Sequence, residues 1–250
     1  QKLYDYYGFT AKKILKQVEK MVLDGADIID VGGYSSKPGA TSITIEEEEK
    51  RVIPIIKLIY KTFKESIISV DTFRSEISEK SINAGASIIN DISGGDLDNN
   101  IYKIAGKYKT PYIIMHMRGN PSNMQNNPVY KNINYEIIKD LSKKIDLAQN
   151  NGVCDIIIDP GFGFGKTIEH NYQILNNLKL YKILDKPILV GISRKSMIYK
   201  LLKTEPSKAL NGTTVLNTIA LINGANILRV HDVKEAKEVI KLCSFLKENV

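Results

Sequence analysis

Asp155-Ile-Ile-Ile-Asp-Pro-Gly-Phe-Gly-Phe-Gly-Lys166 is the stretch whose reading decides the fold. Its isoleucine triplet is apolar without alternation, the pattern of a strand covered on both faces, as in a parallel sheet. Pro160 has no N–H to donate, so strand pairing stops there. Gly161, Gly163 and Gly165 then let the backbone turn sharply and approach a ligand closely. Asp159 is thereby placed at the C-terminal lip of a buried strand, beside a glycine-rich loop, with Lys166 just beyond. In α/β proteins that lip is where ligands bind. Taken alone, Asp159 and its glycines equally suit a capped turn, so the neighbouring segments have to decide.

Outward from this stretch the same unit recurs. Strands are expected at residues 28–31, 67–70, 87–89, 112–115, 188–190 and 226–230. A first helix carries Ile14, Leu15, Val18, Met21 and Val22, with Thr10 as N-cap and Gly25 closing it. A second opens at Thr44 with acidic residues 46–49 and carries Val52, Ile55, Ile56 and Ile59, with Pro54 near its first turns. Further helices are expected at 75–84, 97–108, 134–150, from 169, at 197–202, 208–223 and 233–248, with a long polar loop at 118–132. Strands alternating with helices make βαβ units and a parallel sheet. Seven strands each precede a helix, and one helix stands ahead of the first strand. Eight such units at this length close a (βα)8 barrel. The fold class expected is therefore α/β, a (βα)8 TIM barrel forming one domain over 1–250, with the first strand and its loop missing from the sequence. The rival is an open doubly wound sheet, but no Gly-x-Gly-x-x-Gly loop follows the first strand.

Composition bounds the class. Of 250 residues, 43% are hydrophobic and 25% charged, ordinary for a soluble chain with a sizeable core. No apolar run approaches the roughly 20 residues of a membrane span, and no signal peptide is visible at the N-terminus. Cys154 and Cys243 lie in no CxxC and near no histidine at ligand spacing, so they read as buried thiols in a reducing cytoplasm. The net charge of +7 is spread along the chain with no basic block interleaved with aromatics. That argues against nucleic acid and suits anionic small substrates.

The polar residues at the strand ends fall on one rim: Lys37, Asp71, Asn90, His116, Asp159, Lys195, Arg229 and His231. Each has a plain structural reading. Asp71 and Asn90 are common strand-to-helix caps, and His116 reads as a hydrogen-bonded core residue. Ser193 reads as a cap for the helix that carries Lys195, and Arg229 as a partner of Asp232 or of an acid on a neighbouring loop. Together they exceed that reading, because caps need no Lys, Arg or His. Asp71, Asn90 and Asp159 suit a heterocycle with several N–H donors, since a carboxylate accepts two parallel hydrogen bonds. Arg229 and His231 offer donors to a phosphate-like group, with the Ser36 hydroxyl beside them. Lys195 suits a ring oxygen or nitrogen. No Ser–His–Asp set is spaced for acyl transfer, and no HExxH is present.

At these residues the chain resembles a known family. Asp-Pro-Gly-Phe-Gly-Phe-Gly-Lys (159–166), Gly-Ile-Ser-Arg-Lys-Ser (191–196), Arg-Val-His-Asp (229–232), Val-Asp-Thr (70–72), Ile-Asn-Asp-Ile-Ser-Gly-Gly (89–95) and Gly-Gly-Tyr-Ser-Ser-Lys-Pro-Gly (32–39) are similar to the motifs of dihydropteroate synthase, in family order. The resemblance runs from about residue 10 to the end. It implies a (βα)8 barrel that joins p-aminobenzoate to 6-hydroxymethyl-7,8-dihydropterin pyrophosphate in folate biosynthesis, releasing pyrophosphate. It implies that Asp71, Asn90, Asp159 and Lys195 hold the pterin, and that Ser36, Arg229, Val230 and His231 complete the pyrophosphate side. Ser36, Lys37, Pro38, Phe164, Lys195 and Ser196 would frame the p-aminobenzoate pocket, where sulfonamides compete. Asp71, Asp159 and Lys195 carry the catalytic expectation. The resemblance also implies Mg²⁺, a cytoplasmic homodimer, and no nucleic-acid or membrane partner. Two departures stand out. The family's loop after the first strand, with an Asn that helps hold Mg²⁺, would lie before Gln1, and Lys37 stands where Arg is usual, without the planar fork. Two alternatives remain: a catalytically impaired pterin-binding module, and a methyltetrahydrofolate-dependent methyltransferase. The second should lack a pyrophosphate site, so Arg229 and His231 argue against it.

Overall fold

The computed structural model describes residues 11–35, 42–120, 124 and 128–249. Its chain falls into two compact units, Gln1–Ile113 with Leu147–Asp155, and Ile114–Asp146 with Ile156–Val250.

In the first unit, helix α1 (Ala11–Leu23) precedes β1 (Ile28–Gly32), α2 (Ile45–Thr62), β2 (Ile67–Asp71), α3 (Ser75–Ala84), β3 (Ile88–Asp91) and α4 (Asn100–Tyr108). Runs of Ile and Val make the strands, because branched side chains fit a pleated, covered surface. The strands pair in parallel with Gly32 opposite Asp71 and Asp71 opposite Asn90. The N–H of Ile89 continues the ladder to the carbonyl of Pro111 at 3.0 Å. Helix α2 starts where expected: Thr44 Oγ1 accepts the Glu47 N–H at 3.2 Å, and Glu46, Glu47 and Glu48 occupy its first turn. Val52, Ile56 and Ile59 bury its inner face, with Ile68, Val70, Ile77, Ile89, Ile101 and Ala105 also fully buried. Pro54 stands midway along this helix, not in its first turns as expected. Helix α4 begins three residues later than read from sequence. The reason is Asp98: its Oδ2 takes the Ser75 N–H at 2.7 Å and its Oδ1 the Asn100 N–H at 3.1 Å, holding the preceding residues in a turn.

Strand β4 (Tyr112–Met115) and helix α5 (Ile133–Asn150) run from one unit into the other along the chain. The second unit continues with β5 (Ile156–Asp159), α6 (Ile168–Asn176), a 3-10 stretch (Leu178–Leu184), β6 (Leu189–Val190), α7 (Ser196–Tyr199), a 3-10 turn (Pro206–Lys208), α8 (Leu210–Ile222), β7 (Ile227–Leu228) and α9 (Val233–Glu248). The His116 N–H reaches the Asp159 carbonyl at 3.0 Å, so the end of β4 lies beside β5. Ile158 bridges Ile188 in parallel, and β6 pairs with β7 in parallel. The unit's order is thus β4-β5-β6-β7. The regular part of β7 is shorter than the expected 226–230, yet the contact is not. The Asn226 and Ile227 N–H groups both reach the Ile188 carbonyl, and the Arg229 N–H reaches that of Val190 at 2.9 Å. Thr10 lies outside the described residues. Cys243 is buried as expected, whereas Cys154, read as buried, is an exposed free thiol.

Candidate active site

In the first unit the polar strand ends stand side by side. Asp71 and Asn90 are register partners at the C-terminal ends of β2 and β3, so both side chains leave the same face. Gly32, opposite Asp71 on β1, has no side chain to crowd it; a Cβ there would sit 3.2 Å from Asp71 Cβ. Asn90 is buried and donates from Nδ2 to Asp30 Oδ2 at 3.2 Å. Asp30 was not singled out in the sequence. A carboxylate inside an apolar strand was the signal that could have found it.

Below these ends lies a carboxylate that the sequence reading treated only as part of a helix start. Glu48 is 0% exposed. Its Oε1 takes the Thr72 hydroxyl at 2.6 Å, and its Oε2 pairs with Arg74 Nη1 at 2.8 Å. Burial pushes the Glu48 carboxyl up, against the pull of Thr72 and Arg74. Arg74 also donates to the Ile43 carbonyl at 2.6 Å and lies over the rings of Tyr34 and Phe73, at 5.6 and 5.3 Å from their centroids. Arg51 donates to the Gly33 carbonyl at 3.1 Å. Two arginines therefore hold the two ends of the loop that follows β1. Its residues Ser36, Lys37 and Pro38 lie outside the described residues.

The second unit carries the rest. Asp159 is 7% exposed at the end of β5. Its Oδ1 accepts the Gly161 N–H at 2.7 Å, the capped turn of the plain reading. Oδ2 takes no hydrogen bond among the described residues, so half of this carboxylate is not needed by the turn. Burial pushes the Asp159 carboxyl up, while Lys195, the Gly161 N–H, Lys166 and Arg229 pull it down. Lys195 donates from Nζ to the Phe162 carbonyl and lies 4.7 Å from the centroid of the Phe164 ring. The glycine loop makes this approach possible: Gly163 has φ +80°, and a Cβ there would stand 3.3 Å from Lys195 Cδ. The loop is tied at its far side by Gly163 N–H to Asn171 Oδ1 at 2.7 Å and by the Thr167–His170 capping box of α6.

Ser193 does not cap the helix that carries Lys195. Its Oγ accepts the His231 backbone N–H at 3.2 Å and lies 3.0 Å from His231 Nδ1. Ser193 Oγ thus holds both the backbone and the ring of His231, which fixes the orientation of the imidazole. Burial first, then the charges of Arg194 and Arg229, hold the His231 pKa below the usual histidine range. Asp232 is engaged by Arg194, which donates from Nε at 3.0 Å and also from Nη2, a bidentate clasp. Ser196 opens α7 and Val230 precedes His231, both half-buried. His116 is buried, as its plain reading had it, and lies 2.9 Å from Lys166 Nζ through Nδ1.

A family model described as "Pterin binding enzyme" matches residues 3–231. The chain is 42% identical to the dihydropteroate synthase of Clostridium beijerinckii, over 93% of this chain and 84% of that one. Its structure resembles that of the Yersinia pestis dihydropteroate synthase in complex with a sulfonamide drug, with a TM-score of 0.92 and 36% identity over 96% of this chain and 87% of the other. It likewise resembles the Thermus thermophilus dihydropteroate synthase in complex with 4-aminobenzoate, with a TM-score of 0.87 and 32% identity over 93% and 89%. With parallel strands alternating with helices, these likenesses give the α/β fold of the (βα)8 barrel class. The chain belongs to the dihydropteroate synthases of the pterin-binding enzymes.

Proposed function

We propose that this chain, as one barrel domain, condenses 6-hydroxymethyl-7,8-dihydropterin pyrophosphate with p-aminobenzoate, giving 7,8-dihydropteroate and pyrophosphate. The observation that carries the reading is Asp159: a buried carboxylate with one oxygen taking no hydrogen bond among the described residues, facing the charges of Lys195, Lys166 and Arg229. An ionised Asp159 accepts two N–H donors from the pterin edge, and Lys195 donates to the ring. In the other unit, Asp71 and Asn90 are kept as pterin contacts. Arg229, Val230 and His231, with Ser36, serve the pyrophosphate, and His231 offers it a ring N–H. Phe164 and Ser196, with Lys37 and Pro38, serve p-aminobenzoate, the pocket in which a sulfonamide competes.

The bond to pyrophosphate breaks and leaves positive charge on a methylene conjugated to the pterin. Fixed carboxylates such as Asp159 and Asp71 stabilise that charge as it develops. The amine nitrogen then forms its bond to carbon and loses one proton, and no strong base is needed. Among the described residues no group of three or more His, Cys, Asp or Glu is arranged to hold a metal ion. Mg²⁺ is proposed to come with the substrate, taking pyrophosphate oxygens and water as ligands, as this ion commonly does.

The assembly is proposed to be a homodimer. Val215, Ile219 and Ile222 on α8 and Leu242, Phe245 and Leu246 on α9 are exposed apolar side chains on two helices that pack together. Such a face suits an isologous contact with a second copy. No helix among the described residues is long and apolar enough to cross a membrane, and the reading places the chain in the cytoplasm.

The test is titration calorimetry with dihydropterin pyrophosphate and Mg²⁺, then p-aminobenzoate, with pyrophosphate release followed. Binding with release supports the reading. Binding without release favours an impaired pterin-binding module. Asp159→Asn is expected to lower kcat/KM by about 100-fold or more; full turnover in that variant would overturn the assignment of Asp159.

A further inference from the structure

Lys166 has no task in the chemistry above, although its motif belongs to the site. It is 3% exposed, a rare position for a lysine. Its Nζ lies 2.9 Å from His116 Nδ1, 3.3 Å from the His116 carbonyl and 2.9 Å from the Phe164 carbonyl. Two of these partners are carbonyl oxygens, which only accept. The third is a ring nitrogen that accepts when the imidazole proton sits on Nε2. An ammonium has three protons for three such acceptors. The tethers join the loop after β4 to the loop after β5. The turn between them is tight: a Cβ on Gly161 would fall 1.9 Å from the His116 carbonyl oxygen and 3.3 Å from Lys166 Nζ. The same Gly161 donates its N–H to Asp159 Oδ1.

We infer that Lys166 is a positioning residue for pterin recognition: caged as an ammonium by His116 Nδ1, the His116 carbonyl and the Phe164 carbonyl, it adds to Lys195 a fixed charge that helps keep buried Asp159 ionised to receive the substrate. The groups facing Lys166 are Asp159 on β5, Lys195 beyond β6, and Asp140 and Lys144 on α5. Those facing Asp159 are Lys195, Lys166 and Arg229, and those facing His116 are Lys166, Lys144 and Arg118. Burial first, with the charges of Lys195 and Lys144, draws the Lys166 pKa well below the usual lysine range, against the pull of the Asp159 and Asp140 carboxylates. The three acceptors favour the charged form, because a neutral amine has only two protons to share among them. Burial and these neighbouring cations keep His116 neutral, as an acceptor at Nδ1 requires.

The inference rests on the pterin reading of Asp159, and one experiment separates the two. The affinity for dihydropterin pyrophosphate with Mg²⁺ is measured against pH for the wild type, Lys166→Met and Lys166→Arg. An Asp159 carboxyl must be ionised to accept two N–H groups, so binding weakens as pH falls through its pKa. Without the Lys166 charge that acid limb is expected to move up by about one pH unit, a roughly tenfold loss of affinity at any pH below it. Lys166→Arg, which keeps the charge, is expected to restore the wild-type limb. A Lys166→Met limb that stays in place, with binding weaker at every pH, would show a packing role only and overturn the inference. A wild type that does not bind the pterin would overturn the pterin reading instead. Should Lys166→Met fail to fold, lysine labelled with ¹³C at Cε decides: Lys166 is expected to resonate as an ammonium at pH 7.5, and a neutral amine there would sink the idea.

Discussion

At the scale of single residues, the loop from Asp159 to Lys166 was legible where it depended on its own neighbours. An apolar strand, a proline and spaced glycines place Asp159 without knowledge of anything distant. The partners were not legible. Lys166 meets His116, and Ser193 meets His231, across long separations that only the folded chain closes. Local spacing had assigned Ser193 to a cap, a reading that any serine ahead of a helix invites. Gly161 tests how closely the site is fitted. It has φ +75°, and any side chain would have to enter the space of a backbone oxygen of His116, which cannot rotate away. Gly161→Ala is expected to destabilise the chain by about 1–3 kcal/mol. It should also weaken pterin binding, because the turn that carries Asp159 must shift. Urea unfolding and calorimetry on the same variant check both; an unchanged midpoint would mean that the two loops are slack.

At the scale of elements, α3 and α9 match their expected bounds. The elements that did not are the ones whose limits are set by tertiary hydrogen bonds. Asp98 delays α4 through a contact with α3, and the 3-10 stretch Leu178–Leu184 has a composition that suits an α-helix equally. The loop after β1 shows the same dependence. Its ends are held by Arg74 and Arg51, and the first of these answers a carboxylate with no exposure at all. Glu48 read from sequence as a charge suited to a helix start. In place it is a buried anion whose solvation is replaced by Thr72 and Arg74. Removing only the cation leaves that anion unpaired, so Arg74→Met is expected to cost about 3–5 kcal/mol. Glu48→Gln made in the same chain is expected to recover a large part, since the unpaired charge at that position is then gone. Denaturant unfolding of the two single variants and the double checks the coupling, and simple additivity would mean that the pair carries no shared energy.

At the scale of the whole molecule, the charge of +7 and the apolar faces of α8 and α9 bear on association. If α8 meets a second copy, Ile219→Lys places a charge in the contact and is expected to turn a dimer into a monomer in sedimentation, with the fold retained. The response to pH is a sum over groups of opposite sign. All three histidines have pKa values held below the usual range, by burial first. A histidine kept neutral in the folded state is protonated in the unfolded chain below about pH 6.5, so its contribution is intact above that pH and is lost as pH falls. The buried carboxyls of Glu48, Asp91 and Asp159 are pushed up, so they act the other way, favouring the folded state as pH falls. Total stability therefore does not isolate either effect, but a difference does. His116 is 4% exposed and its Nδ1 lies 2.9 Å from Lys166 Nζ, a contact that an asparagine oxygen can take over as acceptor. Between pH 7.5 and pH 5, the stability of the wild type relative to His116→Asn is expected to fall by about 2 kcal/mol, the cost of a proton refused over roughly 1.5 pH units. Because both proteins keep the same carboxyls, those terms cancel to first order. A flat difference would mean that His116 takes up its proton in the folded chain, against the burial and the neighbouring charges that hold its pKa down.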